Sequence, residues 1–140
     1  MAIVWRLAKY LSSGTVGDVS DLDGLAARLR EFVAVREWDQ FHTPKNLAMA
    51  LAGEAGELLA EFQWLTPEES TVVMDDPEAA ARVRGEIADV TLFLISLADR
   101  LDIDLVDTAH AKLDENERRY DAETYRGSAR KAPPLRESGG

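Results

Sequence analysis

Apolar residues recur at three- and four-residue spacing along most of this sequence and nowhere alternate long enough to define a strand, so the chain is constrained to helices. The start signals divide it into segments. Ser20 as N-cap with Asp23 at the capping-box position predicts a first helix. Its Leu22, Leu25, Leu29 and Phe32 face the core, and it fades near Arg36. Thr43-Pro44, a cap followed by proline at the first helical position, opens a second helix running through Leu47, Leu51, Leu58 and Phe62 to Trp64. Thr66-Pro67-Glu68-Glu69 starts a short helix. Asp76-Pro77-Glu78 starts a long one, with Val83, Ile87, Val90, Leu94 and Leu97 as its apolar stripe and an end near Leu101. Asp104 caps a last helix, with Leu105, Ala109 and Leu113 inward as far as Tyr120. Four long helices with short connections predict an all-α fold, a four-helix bundle.

The flanks read differently. Ser12 to Val19 is small, polar and glycine-containing, a loop behind a short N-terminal segment. From Asp121 onward no apolar periodicity remains. The expected division is an extension and loop over 1–19, a helical domain over 20–131 and a flexible tail over 132–140. At 140 residues, 46% of them hydrophobic and 30% charged, one such domain holds a core without staples. The absence of cysteine excludes disulfides, thiolate zinc sites and cysteine nucleophiles, and fits a reducing cytoplasm. Met1 to Leu11 lacks the apolar run of a signal peptide, and no segment is long enough to span a membrane. A net charge of −10 disfavours nucleic-acid binding unless the charge is segregated.

Where the acids stand is more informative than their number. Glu54 and Glu57 lie three apart inside the second helix, with Glu61 a turn further on. Glu86 and Asp89 repeat the spacing inside the long helix. Residues at i, i+3 and i+7 share a face. Both pairs are embedded in apolar runs, LAMALAGEAGELLAEF and GEIADVTLFLISLA. A solvated helix face explains one such pair well and two such pairs poorly. Crowded, desolvated carboxylates are costly, and a hard cation offsets that cost: magnesium takes carboxylate oxygens and keeps waters that phosphate displaces. Neither histidine stands at the spacing of a zinc helix site. Gly53, Gly56 and Gly85, each costing about 1 kcal/mol in a helix interior, point to close helix approach or to room for a bulky ligand.

Two further groups flank the acids. Trp38, Phe41 and His42 precede the second helix and Trp64 ends it. Aromatic faces stack on nucleobases for about 1–3 kcal/mol each, although hydrophobic staples at helix ends use the same residues. Lys112, Asn116 and Arg119 share one face of the last helix and suit phosphate oxygens, while cations near a helix C-terminus also complement its dipole.

Taken together, GEAGELLAEFQW, then EIADV about thirty residues later, then KLDENERRY and RGSARK resemble the MazG-like all-α nucleoside triphosphate pyrophosphohydrolases. The REWDQFHTPKNL segment is similar to the dCTP pyrophosphatase group within them, and the likeness runs from Leu22 to Lys131. The resemblance implies a magnesium site at Glu54, Glu57, Glu86 and Asp89, with manganese as a substitute; Glu57 and Glu86 are the candidate catalytic carboxylates, and which carboxylate of the cluster accepts the water proton stays open. It implies Trp38, His42 and Trp64 around the base, and Lys112, Asn116, Arg119 and Tyr120 along the phosphates. It further implies a homodimer or homotetramer whose subunits complete one another's sites, with Arg130 and Lys131 as candidates for that role. The implied reaction cuts a nucleoside triphosphate, dCTP or a modified dCTP, to its monophosphate and pyrophosphate. The sequence departs from the pattern at Asp121 in place of a proline, Ala132 in place of an aromatic and Phe93 in place of a tyrosine. Three rivals stand beside this reading. They are a broad-specificity or phosphoribosyl-ATP-type pyrophosphohydrolase, a di-iron bundle that lacks its Glu-x-x-His pairs here, and a helical oligomerisation module that binds nucleotide without turnover.

Overall fold

The computed structural model describes residues 22–134, and every regular element among them is helical. α1 spans Leu22–Ala34, α2 Pro44–Ala60, α3 Pro67–Thr71, α4 Pro77–Arg100, α5 Leu105–Arg119 and α6 Ala122–Tyr125, with 3-10 turns at Trp38–Gln40 and Val73–Asp75. The expected extension over 1–19 and the Ser20 cap lie outside the described residues.

Where the sequence carries a start signal, the geometry follows it. Thr43 Oγ1 accepts from the Asn46 amide at 3.2 Å, with Pro44 in the first turn. Thr66 and Glu69 close a reciprocal capping box, at 3.2 Å and 2.8 Å. Asp76 Oδ1 accepts from the Glu78 amide at 3.0 Å, and Asp104 Oδ1 from Asp107 at 3.0 Å. Each cap satisfies one of the amides that a helix start leaves without a partner.

The ends are less faithful. α2 stops at Ala60, short of Trp64, because the amides of Phe62 and Leu65 bond three residues back and tighten the chain into turns. α6 is a helix for which apolar periodicity gives no signal. Asp121 builds it by accepting from the Thr124 amide at 2.9 Å.

α2 and α4 pack against each other along most of their length, and α1 lies on α4. Leu47, at 2% exposure, Val33, Val83, Ile95 and Ala98 are buried in this three-helix core. The expected inward faces are only partly buried. On α1 Phe32 is exposed and Val33 is buried instead; on α4 Ile87 and Leu94 are exposed, and Ala79, Ala80, Val83, Ile95 and Ala98 turn inward. α5 differs most. None of its residues is buried, Leu113 is 54% exposed, and it shares no extensive packing with another described helix. Of its expected inward stripe, Ala109 and Leu113 are exposed among the described residues, while Leu105 is half-buried and lines a small pocket with Ile95 and Ala98. No helix of the described residues is long and apolar enough to cross a membrane.

Candidate active site

The seam between α2 and α4 is antiparallel, and an ion pair marks its register. Arg82 Nε on α4 donates to Oε2 of Glu61, the C-cap of α2, at 2.9 Å. Four residues back along α2 and four residues on along α4 stand Glu57 and Glu86; seven residues away in the same senses stand Glu54 and Asp89. The two acid pairs therefore face each other across the seam. Carboxylate oxygens of Glu54, Glu57 and Glu86 lie within 4.8 Å of one another, and Asp89 stands beside them as a further negative charge.

This crowding shows in the acids' protonation. Burial, then the Glu57 and Glu54 charges, hold the Glu86 carboxyl above the usual carboxylate range. Glu54 is raised by burial and by Glu57 and Asp89. Glu86 Oε2 is buried without a hydrogen-bond partner among the described residues. An acceptor so placed calls for a proton or a cation. Three converging carboxylates in an oxygen-only set fit a hard divalent ion such as magnesium, and nothing in the set favours zinc.

The glycines give a different result from one of the two expectations. A Cβ placed at Gly53, Gly56 or Gly85 meets nothing within 4 Å, so they mediate no close helix approach among the described residues, and open space lies beside the acids.

A cleft of about 380 Å³ lies further along the seam, lined by α1, the loop before α2, and the last turns of α4. Among its lining residues are Leu47, Ile95, Ser96 and His42. Leu47 stands seven residues before Glu54, and Ser96 seven after Asp89, so the cleft lies on the same helix faces as the carboxylates, about 10 Å along the axis. Arg100 Nη2 ties the loop to α4 by donating to the Asp39 carbonyl at 3.1 Å and to Asp39 Oδ1 at 3.3 Å. Neither this clamp nor the cleft's polar set is legible in the sequence, since Asp39 and Arg100 read there as ordinary surface charges.

The remaining predicted residues are scattered within one chain. His42 lines the cleft. Trp38 packs edge-on against Phe32 at 5.7 Å, with the Arg36 guanidinium over Phe32. Trp64 is 86% exposed beyond the end of α2. Lys112 Nζ is bonded to Glu115 at 2.7 Å, which holds the Glu115 carboxyl below its usual range. Arg119 donates to the carbonyls of Ala132 at 3.0 Å and Pro133 at 3.3 Å, and Ala132 is buried at 3% exposure. The chain through Pro133 is thus strapped to α5. Asn116 lies half-buried on α5, and Tyr120 meets Tyr125 edge-to-face at 5.2 Å. The basic face and the carboxylates stand on elements that share no extensive packing.

The chain is similar to known proteins. The chain is 45% identical over 105 residues to dCTP pyrophosphatase 1 of Homo sapiens and 44% identical to that of Bos taurus, in each case over 75% of this chain. It spans about 62% of the length of these relatives. A pyrophosphatase crystal structure from Archaeoglobus fulgidus superposes with a TM-score of 0.68 at 35% identity, covering 77% of this chain and 99% of that one. The MazG-like family model matches residues 50–133, a stretch holding all four seam carboxylates and the whole of α5. On the matched sequence and the superposed fold, the chain belongs to the MazG-like family.

Proposed function

We propose that this protein is a magnesium-dependent nucleoside triphosphate pyrophosphohydrolase, acting on dCTP or a modified dCTP and working in the cytoplasm. The observation that carries the reading is the convergence of Glu54, Glu57 and Glu86 oxygens within 4.8 Å, with one Glu86 oxygen buried and without a partner. The relatives' name, dCTP pyrophosphatase, supplies the choice of cytosine.

Glu54, Glu57, Glu86 and Asp89 would hold the metal, which when bound supplies charge neutralisation for the triphosphate and tolerates manganese in its place. The chain's own residues position the rest. The nucleotide lies along the seam with its α phosphate at the carboxylates and its base in the cleft beside His42. Glu57, the exposed acid of the three, accepts a proton from water as the water oxygen bonds to the α phosphorus. The bond from that phosphorus to the oxygen bridging to the β phosphate breaks, and pyrophosphate leaves with the electron pair.

Trp38 and Trp64 flank α2, whose 17 residues span about 25 Å, so they cannot stack on one base within a single chain. A second copy that brings its Trp64 or the basic face of its α5 to the seam resolves this, and exposed Val106 and Leu113 on α5 offer it a surface.

The test is incubation with each common and modified dNTP plus magnesium, scoring monophosphate and pyrophosphate. Glu57→Gln is expected to lower turnover by more than about a hundredfold while helical circular dichroism persists. Wild-type activity in that variant, with unaltered magnesium dependence, overturns the assignment. Nucleotide binding without pyrophosphate release moves the protein to the non-catalytic class.

A further inference from the structure

The cleft beside the carboxylates presents six polar side chains: Arg30, Asp39, His42, Ser96, Asp99 and Arg100. Four of them are committed to one another. Arg30 Nη1 donates to Asp99 Oδ1 at 2.8 Å, and Arg100 Nη2 to Asp39 Oδ1 at 3.3 Å. The side chains of His42 and Ser96 make no hydrogen bond among the described residues. Both are half-buried, one on each side of the cleft.

Ser96 is the less expected of the two. A serine or threonine in a helix commonly turns its hydroxyl back onto the preceding turn. Thr91 on the same helix does so, donating to the Ile87 carbonyl at 2.7 Å. Ser96 leaves its hydroxyl to the cleft. It stands on the α4 face that carries Glu86 and Asp89, two turns beyond them. That separation is comparable to the reach from the α phosphorus of an extended nucleotide to the far edge of its base.

We propose that Ser96 is a specificity-determining residue whose hydroxyl, working with the imidazole of His42, hydrogen-bonds the polar edge of a nucleobase seated in the cleft. The proposal rests on the pyrophosphohydrolase reading given above. A hydroxyl both donates and accepts, and a neutral imidazole offers one donor and one acceptor. Together they match a base edge with adjacent donor and acceptor groups. An edge with the wrong sequence of groups leaves one of them unpaired in a half-buried site, which is how such sites reject near-isosteres.

The test compares wild type and Ser96→Ala on four dNTPs and on 2-deoxyribose 5-triphosphate, which carries no base. Alanine is the best helix former, so α4 is retained. For the preferred dNTP, KM is expected to rise about fivefold to tenfold at constant kcat, the effect of losing one neutral hydrogen bond. For the least preferred dNTP and the base-free compound the change stays under about twofold, so the preference among bases narrows. A uniform change across all five compounds, no change in any, or a loss confined to kcat overturns the role of Ser96 alone. A wild-type protein that cleaves none of them overturns the hydrolase reading and this proposal with it.

Discussion

Glu86 concentrates the chemistry at the scale of a single residue. Its carboxyl is raised above the ordinary value of 4.5 by burial and by four neighbouring acids. A carboxyl whose folded pKa lies above its unfolded one binds its proton more tightly when folded. Its contribution to stability is full below the unfolded pKa and is lost as pH rises through the folded value. The metal-free protein is therefore held back at neutral pH by the ionised cluster. Glu115 and Asp121 are shifted downward, by Lys112 and by Thr124 respectively, and lose their contribution as pH falls. A comparison of variants separates the two trends. Glu86→Gln is expected to melt above wild type at pH 7 in chelator, with the gap closing as pH is lowered through the raised pKa toward 4.5. Magnesium should raise the wild-type Tm and leave that of the variant nearly unmoved. Calorimetric scans across pH, with and without the ion, make both comparisons; coincident curves in chelator would contradict the burial of an unpartnered carboxylate.

Among elements, the pairing of α2 with α4 matters most. Threonine and aspartate caps start the helices where the sequence places them, and the packing of α2 on α4 sets the register that brings the acids face to face, with Arg82–Glu61 paired across it. An exposed ion pair of this kind adds little stability of its own. The glycines behave differently. Gly85 stands one residue before Glu86, with open space where its side chain would be. Gly85→Ala is expected to stabilise α4 by up to about 1 kcal/mol, raising Tm by about 4 °C. Thermal melts of the apo-protein check this, and a lowered Tm would mean that the space is filled by something within the fold. Should that space admit substrate or a second copy, the same substitution lowers activity while it raises Tm.

On the scale of the whole molecule, large apolar side chains stay exposed among the described residues. Trp64, Leu59, Met49, Ile87 and Leu113 are exposed, and α5 has no buried residue. Large apolar faces of this kind mark association surfaces. The expected outcome is a dimer or larger assembly at micromolar concentration, with Leu113→Glu dissociating it and lowering activity more than helix content. Sedimentation velocity with parallel turnover assays tests it, and a fully active wild-type monomer would remove the second copy from the site.

Local rules determined the helices, because caps, prolines and apolar spacing act within a few residues of one another. Thr43, Thr66, Asp76 and Asp104 each start a helix where those rules place it. The repeated three-residue acid spacing likewise marked Glu54, Glu57, Glu86 and Asp89 from the sequence alone. Only the tertiary structure decided that three of these acids converge, since that depends on the antiparallel packing of two helices distant in sequence. It also decided that Leu113 of α5 stays exposed, that Arg119 holds the chain at Ala132 and Pro133, and that Ser96 opens onto a cleft. Helical periodicity says that a face is apolar or charged; what that face meets is set by contacts between elements distant in sequence, and periodicity carries no information about those.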